Sequence, residues 1–314
     1  VTGSEDDTRA AAPDAAGTAV RLPPRPAGAD GAAAGYRPGR TLPLAAEWRR
    51  QAARRRTQFT LAGMVLLPVI VLLAFQFGGG DEDEGRSGRG EFSSLAELAT
   101  SGGLNFAVFT VLVSSSFLLV VAVALFFGDT VASEASWGSL RYLLATPVPR
   151  ARLLLAKVLV AAGYAVSAVL LLAVTALLLG TLRYGWHPLA STVAADIPPA
   201  AGVARLAGIV GYLLLSLSVV GALAVLLSVS TDAPLGAVGG AVLLFIVSSI
   251  LDQIEALGGV RDWLPTHYGQ AWLGLLSTPA QADDIVRGAF AAVAYTTLLL
   301  AAAWWRFLRK DVVS

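Results

Sequence analysis

Six runs of apolar residues dominate the chain, at about 58–77, 105–127, 156–180, 205–229, 235–251 and 286–305, each bounded by polar or charged positions. A helix rises about 1.5 Å per residue, so some twenty apolar positions cross a hydrocarbon layer of about 30 Å. None of the runs alternates apolar and polar positions as a barrel strand would. Lipid offers no partner for an unpaired backbone group, so each run predicts a helix. The fifth run is short, and its "GAVGG" sets Gly236 and Gly240 four apart, a spacing of small residues that predicts close helix packing. Before it, "STDAP" (230–234) predicts a tight turn, with Asp232 near the cap and Pro234 at the first helical position. The pattern reads as an all-α polytopic integral membrane protein with six transmembrane helices.

The flanks divide the remainder. Residues 1–41 are rich in Ala, Pro, Gly and Asp and have no helical periodicity, which predicts a disordered tail. Residues 42–57 follow as an amphipathic interfacial helix, with Leu44 and Trp48 on one side and Arg49, Arg50, Arg54, Arg55 and Arg56 for anionic headgroups. Residues 58–314 then form the six-span domain.

Composition agrees with the pattern. Of 314 residues, 55% are hydrophobic and 14% charged, against roughly 25% charged in soluble domains; mean hydropathy is +0.66. Too little polar surface is left to cover a globule in water. A net charge of +1 is too small to suggest a nucleic-acid partner, so membrane lipids are the expected surroundings. The bias to Arg, Ala, Gly and Pro points to a GC-rich bacterial genome and a multi-pass protein of the plasma membrane. With the N-terminus inside, only Arg86, Arg89, Arg183, Arg205, Arg261 and Arg287 of the 23 Lys and Arg residues fall outside. Charge therefore predicts cytoplasmic N- and C-termini, with "DEDE" (81–84) on the outer side.

Candidate chemistry is sparse. No Asp, Glu, Lys, Arg or His lies mid-span, which disfavours an ion-coupled pump. Serines at 114–116, 167, 216, 218, 248 and 249, with Thr175, are the main hydroxyls at depth. They suit helix packing and bonding to the preceding turn first, and a substrate lining second. Absent cysteine excludes thiolate metal sites, and His187 and His267 stand in separate outer loops, so no metal site is expected. "FFGDT" ends the second span, but Gly128–Asp129 lacks a second intramembrane Asp to share a proton. Neither Lys157 nor Lys310 follows a phosphate-cradling glycine loop. The chain is expected to be no enzyme and to bind no cofactor of its own; any energy for uphill movement must come from a partner.

One polar elbow remains, between spans two and three. From Asp129 to Thr146 the pattern predicts a short helix just inside the membrane. Glu134, Gly138 and Arg141 share one face, and Trp137, Leu140 and Leu144 a neighbouring stripe. Pro147 in "TPVPR" stops it, and Arg150, Arg152 and Lys157 hold the next span at the headgroups. A mere connecting loop is the simpler reading, although "STDAP" shows how short such a loop can be.

"FFGDTVASEASWGSLRYLLATPVPRARLLLAK" (126–157) resembles the signature of type-2 ATP-binding-cassette (ABC) transporter permeases. The matching positions are Glu134, the triplet Gly138–Ser139–Leu140, Pro147 to Arg150, and Lys157. Ser139, Pro149 and Ala156 depart from the family's Thr, Ser and Gly. Arginines before the first span, "WLPTHYGQAW" (263–272) and "FLRKDV" (307–312) extend the resemblance over about residues 45–314. It implies a coupling helix between spans two and three, docked into a separate ABC ATPase subunit that binds ATP-Mg. Glu134, Trp137, Gly138, Arg141, Pro147, Arg150 and Lys157 would carry the coupling. The resemblance further implies a second permease chain, identical or not, with an exported substrate passing between the two; no residue selects that substrate. The other reading is a non-transporting membrane scaffold or intramembrane hydrolase, which the missing catalytic groups disfavour. Short helices dipping into the membrane are expected within 88–102, where Ser94 and Glu97 have capping-box spacing, and within 252–284, where Trp263, Tyr268 and Trp272 suit an interface.

Overall fold

The computed structural model of the chain describes residues 44–77, 97–136, 149–190 and 196–309. They form eight principal helices: α1 (Leu44–Ala52), α2 (Arg55–Phe77), α3 (Gly103–Ser115), α4 (Leu118–Ser136), α5 (Arg150–Tyr184), α6 (Pro199–Ser230), α7 (Pro234–Asp252) and α8 (Asp283–Arg309). Two 3-10 segments, Glu255–Trp263 and Ala271–Leu276, lie between α7 and α8. The only strand-like pairing among the described residues is one antiparallel bridge, Leu189 to Ile197. Six helices, α2 and α4 to α8, are long and apolar enough to cross a membrane. The predicted tail and the "DEDE" run lie outside the described residues.

The helices outrun the apolar runs that predicted them. α5 has 35 residues and α6 has 32, about 52 and 48 Å at helical rise. Hydropathy marks only the part that lipid requires to be apolar, whereas a helix continues while its neighbours still cover it. Pro199 starts α6 with φ already suited to a helix. Gly185 ends α5 at φ 83°, its N–H donating to the Thr181 carbonyl.

The second run is two helices. Ser116 and Phe117 separate α3 from α4, and the ladder resumes as Val121 N–H donates to the Phe117 carbonyl. α4 then continues through Ser136. The short surface helix expected to begin at Asp129 is therefore, for its first eight residues, the end of α4. It is held there by burial: 78% of α4's apolar stretch is buried, against 11% for α2 and α8. α4 is the central post, packed on α5, α6 and α7, while α3 and α2 pack on α5 and α8 on α6.

At Gly128 the α4 backbone meets α7; a β-carbon there would lie 2.8 Å from a Val238 methyl and 3.2 Å from its backbone nitrogen. The packing face of α7 is Ala237, Val238 and Ala241. The predicted Gly236–Gly240 seam is thus displaced: Gly240 abuts Leu227 of α6, and Gly236 faces only its own turn. In that turn Thr231, rather than Asp232, accepts the Ala233 N–H, at 3.2 Å. Pro234 stands at the helix start as expected.

Candidate functional site

Two polar constellations occupy opposite ends of the bundle. The first gathers α1, the start of α2, the end of α4 and the start of α5. Glu134 is fully buried and Lys157 is 5% exposed. Lys157 Nζ lies 2.5 Å from Glu134 Oε1 and 3.3 Å from Glu47 Oε1. Arg50 reaches the same Glu134 oxygen at 3.2 Å. One turn earlier on α4, Asp129 is fully buried between Arg54 and Arg56, the latter at 2.6 Å. Three carboxylates thus face four cations, and each buried charge has an opposite charge beside it, the condition under which burial is tolerated. A cavity of about 10 Å³ among Glu47, Gln51, Arg54, Thr130 and Lys157 has room for one water.

α1 is seated by an aromatic contact. The Trp48 ring stacks on Tyr164 of α5 at 4.3 Å between centroids, and the Tyr164 hydroxyl donates to the Trp48 carbonyl at 2.9 Å. Gly163 makes the approach possible, since a β-carbon there would collide with the indole. Beside the cluster, Ser228 of α6 accepts the N–H groups of Val131 and Ala132 at 3.1 and 3.0 Å.

The second constellation is a cleft of about 400 Å³ at the far end. Its deep wall holds Ser115, Ser116 and Ser216, with Leu213, Leu217 and Phe245 as its apolar side. Its mouth holds Ser249, Asp252, Gln253, Thr266, His267 and Gln270. Ser216 is 17 residues along α6 from Pro199, about 25 Å, so the cleft reaches the helix's midpoint. The chain segment that roofs the mouth is fixed by partly buried polar contacts. Tyr212 donates to the Tyr268 carbonyl at 2.6 Å, and Arg205 to the carbonyls of Leu275 and Ser277, each at 2.7 Å. Trp272 is fully buried, whereas Trp263 is 77% exposed. His267 bridges two carboxylates, with Nδ1 2.6 Å from Asp252 and Nε2 3.3 Å from Asp262.

A protein-family model spans residues 65–313, from within α2 to just past the end of α8. The chain belongs to the DUF2705 family. That family is described as a protein of unknown function. No curated protein matches the chain. Within this DUF2705 protein the family match holds Asp129, Glu134, Lys157 and the whole cleft; α1 and its arginines precede it.

The sequence-predicted residues fare unequally in the DUF2705 fold. Trp137, Gly138, Arg141 and Pro147 lie outside the described residues. Glu134, expected on the polar face of a short helix just inside the membrane, is buried and ion-paired within the bundle, because α4 carries it against α5. Lys157 was expected at the headgroups and is buried against Glu134 and Glu47. Arg150 is exposed, and its guanidinium donates to the Leu308 carbonyl at 3.4 Å, tying the start of α5 to the end of α8. The interfacial helix breaks at residues 53–54, so Arg55 and Arg56 belong to α2. Of the headgroup arginines, Arg50, Arg54 and Arg56 turn to α4; Arg49 and Arg55 stay exposed.

Most hydroxyls bond to the preceding turn as expected: Ser114 to Thr110, Ser115 to Leu112, Ser167 to Gly163 and Thr175 to Leu171. What sequence reasoning missed is that Asp129 is an ion-pair partner. The available signal was an acid in an apolar helix with five arginines clustered at residues 49–56 of the same chain.

Proposed function

We propose that this chain is the membrane-spanning permease subunit of a type-2 ABC transporter, an exporter in the bacterial plasma membrane. A separate ATPase subunit binds ATP-Mg, and a second permease chain completes the pathway. The observation that carries this reading is the Lys157–Glu134 pair. Residues 137–148 connect α4 to α5, and this buried ion pair ties the two helices together just beyond the point where that segment leaves them. A force applied to the elbow would reach both helices at once, and α1 with them through Glu47 and Arg50. Such an arrangement suits a handle. Glu134 then acts by holding α4 to α5 rather than by touching the ATPase. The largely unburied α2 and α8 offer surface to lipid or to the second permease.

Substitution of Glu134 would disturb folding as well as coupling, so the test uses the elbow itself. The tagged chain purified in mild detergent should carry an ABC ATPase in equal amount, with hydrolysis responding to transported substrate. Gly138→Trp, a bulky replacement in the segment to which the resemblance assigns coupling, should assemble poorly or hydrolyse ATP without coupling. Normal assembly and coupled hydrolysis in Gly138→Trp would overturn the coupling assignment. Purification of a monodisperse chain free of any ATPase would overturn the permease reading.

A further inference from the structure

The far-end cleft is rich in hydrogen-bond acceptors and poor in donors. The Ser115 and Ser249 hydroxyls donate their protons to the Leu112 and Phe245 carbonyls, at 2.8 and 3.0 Å, so lone pairs remain. Gln253 donates its amide to the Ser249 carbonyl at 3.4 Å, which leaves its oxygen as an acceptor. Both ring nitrogens of His267 are engaged by carboxylates. Asp252 uses Oδ1 for His267 and, at 3.8 Å, for Arg261; Oδ2 has no hydrogen-bond partner among the described residues. Ser116, Ser216 and Gln270 can donate or accept.

Charge points the same way. Residues 252–267 hold three carboxylates, Asp252, Glu255 and Asp262, against the guanidinium of Arg261 and the imidazole that His267 sets between two of them. One wall of the cleft is apolar, formed by Leu213, Leu217 and Phe245. At about 400 Å³ it falls within the size range of small-molecule sites.

We infer that this cleft binds a cationic amphiphile with a protonated amine at its head, the ammonium at Asp252 and the apolar tail along Leu213, Leu217 and Phe245. An ammonium brings three donors and no acceptor, the complement of this lining. A carboxylate or phosphate ligand would meet lone pairs and like charge. That such an amphiphile is the transported substrate rests on the permease reading; its binding to the cleft does not.

The test is equilibrium binding of radiolabelled dodecylamine to the full chain in phosphatidylcholine nanodiscs without any ATPase, corrected for empty nanodiscs. Saturable binding is expected. Unlabelled dodecylamine should compete, while dodecanol and laurate should be weaker by tenfold or more, as loss of a charge-assisted hydrogen bond implies. Dodecyltrimethylammonium, which keeps the charge without N–H donors, should fall between. Asp252→Asn should weaken binding about tenfold, and Asp196→Asn, an exposed carboxylate outside the cleft lining, should leave it unchanged. Asp252→Asn also alters the His267 contact, so Ser216→Phe supplies an independent arm. It breaks no ion pair, fills the deep end and should abolish binding. Equal competition by laurate or dodecanol, wild-type binding in Ser216→Phe, or no binding above empty nanodiscs would each overturn the inference. None of these results bears on ATPase association, so failure here and failure of the permease reading are separable.

Discussion

Lys157 and Glu134 meet across α5 and α4 at 2.5 Å, in a place where neither side chain reaches water. A buried pair of this kind contributes little relative to a well-packed apolar pair, but removing one partner strands the other. Lys157→Ala should therefore lower unfolding stability in detergent by about 3–5 kcal/mol. The double replacement Lys157→Met with Glu134→Leu should recover most of that loss, because Arg50 can turn to solvent. Denaturant titration of the purified variants measures both. Additive losses in the double variant would show that the pair is not acting as a unit.

The seating of α1 can be tested by protease. Arg49 and Arg55 are exposed, yet α1 is held by Trp48 on Tyr164, so cleavage at these arginines requires local opening. Gly163→Leu would fill the space that the indole occupies. Trypsin should then cut between residues 49 and 56 at least tenfold faster, for an opening made easier by about 1.4 kcal/mol. Unchanged cleavage kinetics would mean that the indole does not hold the helix.

Ser228 accepts the Val131 and Ala132 N–H groups of α4. Ser228→Ala should cost about 0.5–1.5 kcal/mol, the usual contribution of a hydrogen bond. Ser228→Thr keeps the oxygen and should be milder. Thermal unfolding followed by near-ultraviolet circular dichroism would report the difference, and equal melting of the alanine variant and wild type would contradict it.

Orientation is open to direct chemistry, because the chain has no cysteine of its own. Lys and Arg distribution puts the far end outside. In intact cells an impermeant thiol reagent should label a cysteine replacing the exposed Val260. A cysteine replacing Ser230, exposed at the other end, should react only after lysis. The reverse labelling would invert the topology.

The helices were legible in the sequence because lipid imposes one strong local rule, and each apolar run became a helix or, at 103–136, a broken pair. Their ends were not legible. The first two turns of α5, Arg150 to Lys157, read as a charged flank, yet Lys157 finds both its carboxylates elsewhere in the chain. Arg54 and Asp129 are 75 positions apart, and Lys157 and Glu47 110; periodicity registers neighbours on one helix face and is silent about such partners. The elbow was marked by local signals, its prolines and charges. The cleft was half legible. Ser115, Ser116, Ser216 and Ser249 were noticed as hydroxyls at depth, but their convergence with Asp252 and His267 depends on how α3, α6 and α7 cross.

The docking of α1 has a consequence for biogenesis. Synthesis runs from the N-terminus, so Arg50, Arg54 and Arg56 are made well before α4. Apart from Glu47, one turn before Arg50, they have only water and lipid phosphate to meet until Asp129 and Glu134 arrive. α4, with its two acids, then enters a bilayer where the countercharges are already waiting at the right depth. Lys157 follows and closes the set. A carboxylate that would be costly for α4 to carry alone thereby becomes a sorting signal, directing the helix to the one site in the nascent bundle that can neutralise it.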